Sequence, residues 1–80
     1  MTGEVALIHE QGQDFAVLAV RSHVVQNAYE RENAMTAGCQ AFGVPTALVA
    51  ENGRTWGPPG IVRWLEGVTL DQLPWRSFTV

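Results

Sequence analysis

The stretch that decides the fold of this chain is EVALIHEQGQDFAVLAVRSHVV, residues 4–25. Its two arms, 4–10 and 15–25, alternate in side-chain character and are rich in strand-forming residues. The QGQD between them contains Gly12, and glycine takes a left-handed backbone conformation at little cost. The stretch therefore predicts a β-hairpin whose turn centres on Gly12 and Gln13.

This turn fixes which residues of the two predicted strands face each other. One pair of opposite charges and several apolar pairs then meet across the hairpin, and each such pair stabilises a sheet by about 0.2–1 kcal/mol. The predicted pairs are Glu4 with Arg21, Val5 with Val20, Leu7 with Leu18, His9 with Ala16 and Glu10 with Phe15.

Both faces of the predicted hairpin are apolar. An antiparallel sheet with one face in water would alternate apolar and polar side chains instead. We therefore expect the hairpin to be covered on both faces, or to meet another subunit on one of them. The first face carries Val5, Leu7, Ala16, Leu18 and Val20, and the second carries Ala6, Ile8, Phe15, Val17 and Ala19.

The middle of the chain predicts a helix followed by a second hairpin. Asn27 begins a helix over 28–42, which Gly43 ends as a left-handed cap. Residues 45–50 are typical of a strand. Asn52-Gly53 fits the two central positions of a type I′ turn. In that turn Glu51 lies opposite Arg54 and Trp56 lies opposite Val49.

The last third predicts a helix and a closing strand. Gly57-Pro58-Pro59-Gly60 ends the return strand and begins a short amphipathic helix with Ile61, Trp64 and Leu65 on one stripe. One turn over 69–73 and a strand over 76–80 follow. The order β-β-α-β-β-α-β predicts a single α+β domain over residues 1–80, with a small mixed or antiparallel sheet and helices packed on it.

The composition favours self-association. The chain has 80 residues, of which 46% are hydrophobic and 16% charged, against roughly 25% charged in an ordinary domain. A domain this short has a thin core and usually needs a disulfide, a metal or a partner subunit. Cys39 is the only cysteine, and one Cys with two His lacks zinc-ligand spacing. We therefore predict no metal or other cofactor and a homo-oligomer, a dimer or higher.

Charge and hydropathy exclude other partners. The net charge is −3, and the five basic residues are all arginine and form no run, so no nucleic-acid partner is expected. No apolar stretch approaches 18 residues, so no membrane partner is expected either. The N-terminal residues lack the basic and apolar regions of a signal peptide. Together with the lone cysteine, this predicts a cytoplasmic location.

Few side chains stand out as candidates for chemistry. Histidine is the residue type used most often for chemistry near neutral pH, but the predicted register puts His9 and His23 on opposite faces of the hairpin. Glu10 lies at the edge of an apolar face if Phe15 opposite it is buried. Cys39 is predicted to be a buried small hydrophobe on the helical stripe, between Met35 and Phe42.

The three tryptophans are the remaining candidates. Trp56, Trp64 and Trp75 all lie in the last third of the chain, and Trp serves cores and protein interfaces more often than ligand pockets. The candidate ligand- or interface-binding residues are therefore His9, Glu10, His23, Trp56 and Trp75, with no catalytic residue and no metal ligand assigned.

Two resemblances add to this. The helix over 28–42 is followed by Gly43-Val44-Pro45-Thr46, a strand, a glycine turn, a strand and a helix. This order resembles the second half of a thioredoxin-fold domain, in which the Val-Pro-Thr proline is cis. The CxxC of that family is missing here. A second set of short motifs is spread over nearly the whole chain: Glu10-Gln11-Gly12 with Phe15-Ala16-Val17, His23-Val24, Ile61-Val62 and Leu73-Pro74-Trp75-Arg76. These motifs resemble a group of small bacterial proteins. This resemblance implies no activity and no site residues.

These observations predict a binding module for a partner protein or small molecule, without catalysis. The first alternative is a small enzyme or ligand-binding protein whose site forms at a subunit interface near His9, His23 and Trp56. The second alternative is a degenerate thioredoxin-fold protein, for which the geometry of the Val44–Pro45 peptide bond is informative.

Overall fold

A computed structural model describes residues 2–10 and 12–79, which form a five-stranded mixed sheet with helices on both faces. The predicted α+β class is confirmed. The strands follow the order β4-β3-β2-β1-β5, in which only β2 and β3 are parallel neighbours. The elements are β1 (Thr2–Glu10), β2 (Gln13–Val20), α1 (Ser22–Gln26), α2 (Ala28–Phe42), β3 (Thr46–Ala50), β4 (Thr55–Trp56), α3 (Pro59–Glu66), a 3₁₀ turn (Leu70–Gln72) and β5 (Trp75–Thr79).

The second strand of the first hairpin is shorter than predicted. It ends at Val20, and Ser22–Gln26 forms helix α1. Strand β3 runs parallel to β2, so the chain between them must cross back over the sheet, and such crossovers are normally helical. His23 therefore lies on a helix and not on a strand. The predicted closing strand over 76–80 is β5, and its last predicted residue, Val80, lies outside the described residues.

The register of the first hairpin differs from the predicted one by two residues. Val5 lies opposite Leu18, His9 opposite Asp14 and Glu10 opposite Gln13, so all five predicted pairs are wrong. The turn is one residue earlier, with Gly12 at φ 77°. Since side chains alternate with a period of two, this shift leaves every residue on its predicted face.

Both faces of the hairpin are covered by the chain's own helices. On one face, which we call the α3 face, Ala6, Ile8, Phe15 and Val17 pack with Leu65 and the half-buried Trp64 of α3. On the other, the α2 face, Val5, Ala16 and Leu18 pack with Val25 of α1 and Phe42 of α2. A second subunit is therefore not needed to bury the central strands.

The second hairpin has a three-residue loop and not the predicted type I′ turn. The Gly53 N–H donates to the Ala50 carbonyl, and the Ala50 N–H donates to the Arg54 carbonyl. With Gly53 at φ 86°, this is a tight turn followed by a left-handed residue. Trp56 consequently lies opposite Leu48 and not Val49. A one-residue slip moves a side chain to the other face, so Trp56 lies on the α2 face.

Helix α2 contacts the sheet through part of the predicted stripe: Met35 and Phe42 pack on the core of the α2 face, but Cys39 does not. Its fully buried residue is Gly38, and the free Cys39 is exposed, so the prediction that Cys39 is buried is wrong. A Cβ at Gly38 would lie 2.7 Å from Cγ2 of Thr46. The helix therefore approaches β3 closely because this position has no side chain.

Candidate functional site

Two surface clefts lie at the ends of the central strands. We call them the edge cleft, which has a volume of about 470 Å³, and the strand-end cleft, of about 690 Å³. The edge cleft is lined by Leu7, Ile8, His9, Glu10, Trp64, Val68, Thr69, Gln72, Leu73 and Pro74. A third cavity of about 380 Å³ lies on the α3 face and includes Pro58, Gly60, Trp64 and Glu10.

The edge cleft exists because β1 is longer than its outer neighbour. Strand β1 has nine residues, but β5 pairs only with Thr2–Ala6. Continuing the β1–β5 register would place Pro74 opposite Leu7, and proline has no backbone N–H to donate to a sheet. The pairing therefore ends at Trp75, and residues 7–10 border the cleft on the side that β5 would otherwise occupy.

The walls of the edge cleft combine apolar and polar groups. Trp64 contributes one apolar wall and is held edge-on against Phe15, with ring centroids 5.2 Å apart. Leu73 packs on the same core cluster. Leu7 is 43% exposed, although it is a large apolar residue at the centre of a strand. Glu10, the last residue of β1, is the acidic residue that lines the cleft.

The strand-end cleft lies at the carboxyl ends of the parallel strands β2 and β3. Open sheets bind ligands at such ends. Ala19 and Glu51 come from these two strand ends, and Trp75 lines the cleft from β5. The indole N–H of Trp75 donates to the Leu70 carbonyl at 2.7 Å, which fixes the ring. Glu51 accepts from the Ser22 hydroxyl at 3.3 Å.

The two candidate histidines occupy separate places. The ring Nδ1 of His9 contacts a carboxylate oxygen of Asp14, its cross-strand neighbour. The two side chains are 71% and 65% exposed, and exposed ion pairs contribute little. Nε2 of His23 lies 3.9 Å from a Glu30 carboxylate oxygen. Strand β2 separates the two histidines by about 20 Å, at about 3.3 Å per residue.

Trp56 lies apart from both histidines, with the guanidinium group of Arg31 over its ring. The guanidinium carbon of Arg31 on α2 is 3.8 Å from the centre of the Trp56 ring, and Arg31 also donates to the Val25 carbonyl at 3.2 Å. Trp56 keeps 39% of its surface exposed. The predicted candidates therefore form no common site: His9 and Glu10 line the edge cleft, Trp75 lines the strand-end cleft, and His23 and Trp56 line neither.

Sequence reasoning missed Trp64, Leu73 and Pro74 as cleft residues. The one available signal was Pro74, placed two residues before the predicted closing strand. Among residues 2–10 and 12–79, no cluster of three or more His, Cys, Asp or Glu side chains is arranged to hold a metal ion. In the same part of the chain, no helix is both long and apolar enough to cross a membrane.

Comparison with known proteins adds no relative: no family model, curated protein or solved structure matches this chain. The Val44–Pro45 peptide bond, which the thioredoxin resemblance made informative, is trans, as are the other peptide bonds of the described residues.

Proposed function

We propose that this chain is a non-catalytic binding module that self-associates through strand β5 and uses its clefts for a partner protein or small molecule. The observation that carries self-association is the position of β5. It is a five-residue strand at the outer edge of the sheet, and an edge strand presents unpaired N–H and C=O groups to any chain that can pair with it.

The opposite edge of the sheet differs in a way that supports this choice. Strand β4 has two residues, and Gly57, Pro58 and the proline that begins α3 follow it directly. Short strands and prolines are the devices by which proteins prevent edge pairing. Strand β5 follows Pro74 but contains no proline, and Arg76 is its one charged residue.

A second copy of β5 is a suitable partner because the pairing is self-complementary. Two antiparallel copies pair along their full length when the middle residue, Ser77, lies on the two-fold axis. Arg76 of each copy then lies opposite Phe78 of the other, and no like charges face each other directly. Phe78 is positioned by its edge-on contact with Phe42, at 5.4 Å between ring centroids.

The absolute mass in solution, measured by light scattering behind a sizing column across a dilution series, tests the proposal. We expect a dimer that dissociates on dilution. A monomer at every concentration would overturn self-association.

Two substitutions at Ser77 test the role of β5. Ser77→Glu and Ser77→Lys each place like charges opposite each other on the axis, which destabilises a strand pair. Each variant alone should dimerise more weakly than the wild type, whereas an equimolar mixture should form a heterodimer. If both variants dimerise as the wild type does, the dimer uses another surface. The spectrum of each monomer by circular dichroism is the control for folding.

The enzyme alternative needs His9, His23 and Trp56 to meet across subunits, and pairing through β5 does not bring them together. The thioredoxin alternative is not favoured by the trans Val44–Pro45 bond. We also propose a reducing cytoplasmic location, which suits the exposed free thiol of Cys39.

A further inference from the structure

The unpaired half of β1 is a second open edge, distinct from that of β5. Residues 7–10 pair with β2 on one side, while β5 pairs with Thr2–Ala6 on the other. Pro74 and Leu73 leave the line of β5 at this point and form part of the cleft wall. The edge cleft, of about 470 Å³, therefore borders the part of β1 that β5 leaves unpaired.

We propose that this edge cleft binds an extended peptide segment of a partner protein, which adds to the sheet as a short strand beside residues 7–10. In this mode, backbone hydrogen bonds supply affinity, and pockets for alternate side chains supply specificity. The inference deepens the proposed binding function by naming the partner, and it does not depend on self-association, which uses β5.

The cleft indicates the chemistry of the peptide. Side chains at alternate positions would face Trp64 and Leu73, so these positions favour bulky apolar residues. Glu10 is the acidic residue among those that line the cleft, and the protein as a whole carries a net charge of −3. A lysine or arginine at one end of the peptide complements this charge.

An extended peptide fits better than other occupants. A helix satisfies its own backbone groups and cannot pair with a strand edge, and a small molecule would leave most of the edge unpaired. The exposed Leu7 side chain, on the α2 face of the same edge, offers a contact to the intervening peptide residues.

The probe is a library of acetylated, amidated hexapeptides with bulky apolar residues at alternate positions and one terminal arginine. Binding is measured by fluorescence anisotropy. A second library holds the same residues in blocks instead of alternation. We expect binding in the first library, weakened at least tenfold in the second. If no pool of the first library binds at 1 mM, or the two bind equally, the proposal is overturned.

N-methylation separates strand addition from simple apolar contact. Two versions of the best peptide carry N-methyl groups on odd-numbered or on even-numbered amides, which keeps all side chains. Alternate amides of a strand point to opposite sides, so one version should lose binding at least tenfold and the other should keep it. Equal binding of the two versions would show that the backbone of β1 is not used and would overturn the proposal.

A charge reversal locates the peptide. Glu10→Lys should weaken the arginine-bearing peptide about tenfold, whereas Glu32→Lys makes the same charge change at an exposed position on α2, outside the cleft, and should leave binding unchanged. Equal weakening by both would show only a general charge effect and would overturn the assignment. Repeating the titration with the Ser77→Glu variant separates the two proposals, because peptide binding should persist in a monomer.

Discussion

Gly57 is the residue at which local geometry constrains the chain most tightly. Its φ is 154°, and a Cβ there would lie 2.8 Å from both Cα and Cβ of Ala47. Side-chain space and backbone conformation are thus both unfavourable to any other residue. The glycine lets the chain leave β4 directly over β3 before the prolines begin α3.

Replacing Gly57 with alanine should therefore be costly. We expect Gly57→Ala to lower the free energy of unfolding by about 2–4 kcal/mol, because the methyl group meets main-chain atoms that cannot move aside without breaking the sheet. Urea denaturation measures the change. Gly60→Ala is the matched control: a Cβ at Gly60 meets nothing within 4 Å, so that variant should change stability by less than about 1 kcal/mol. Equal effects would contradict the close approach.

The contact between Arg31 and Trp56 gives a second prediction. The guanidinium lies over the ring, and its buried Nε has no hydrogen-bond partner among the described residues. Arg31→Met keeps an unbranched apolar chain over the ring and removes the charge, so it should cost no more than about 1 kcal/mol. Arg31→Ala also loses that packing and should cost more. A larger loss for Met than for Ala would contradict this view of the contact.

Helix α2 packs closely on strand β3 where Gly38 meets Thr46. Alanine at position 38 gains helix propensity, about 1 kcal/mol over glycine, but its Cβ would lie 2.7 Å from Thr46 Cγ2. We expect Gly38→Ala to destabilise the wild type. In a Thr46→Ser background, where Cγ2 is absent and the hydroxyl bond to Val44 is retained, the same change should cost much less, because the closest atoms left are Oγ1 at 3.1 Å and Cβ at 3.2 Å.

A double-mutant cycle by urea denaturation measures this coupling between the two sites. Additive effects of Gly38→Ala and Thr46→Ser would mean that the helix can move away from the strand without cost, and the close contact would then not be what positions α2.

The elements also show what the sequence could and could not predict. The two apolar faces of the first hairpin were predictable from alternation, and they survived a wrong register because a shift of two residues preserves the facing of side chains. The predicted register of the second hairpin was wrong by one residue, because Asn52-Gly53 suits two turn types that differ by one loop residue. Because of this difference, Trp56 lies on the face of the sheet opposite to the predicted one.

The edge cleft was not predictable from local patterns. It depends on where β5 stops relative to β1, which is a contact between residues 75 and 6 at opposite ends of the chain. His9 and Glu10 were singled out for other reasons. Their cleft partners Trp64 and Leu73 belong to a predicted helix and a predicted turn, and neither pattern indicates a cleft. Pro74 marked the break, but only the sheet order shows which strand it leaves unpaired.

The helices bury both faces of the central strands, which leaves the outer edges of the sheet available for pairing. The composition that predicted an oligomer, rich in apolar residues and poor in charge, is accommodated within one chain by this arrangement. Self-association through β5, as proposed above, should be modest because a five-residue edge offers few contacts.

This leads to a prediction about stability and concentration. If two copies pair through β5, folding is linked to association, and the midpoint of urea unfolding should rise with protein concentration near the dimer dissociation constant. A tenfold increase above that constant should add about 1.4 kcal/mol per dimer to the free energy of unfolding. Ser77→Glu should show a midpoint that is independent of concentration over the same range. A wild-type midpoint that is equally independent of concentration, up to the highest concentration at which the protein stays in solution, would mean that the β5 edge is left unpaired and that the chain acts as a monomer.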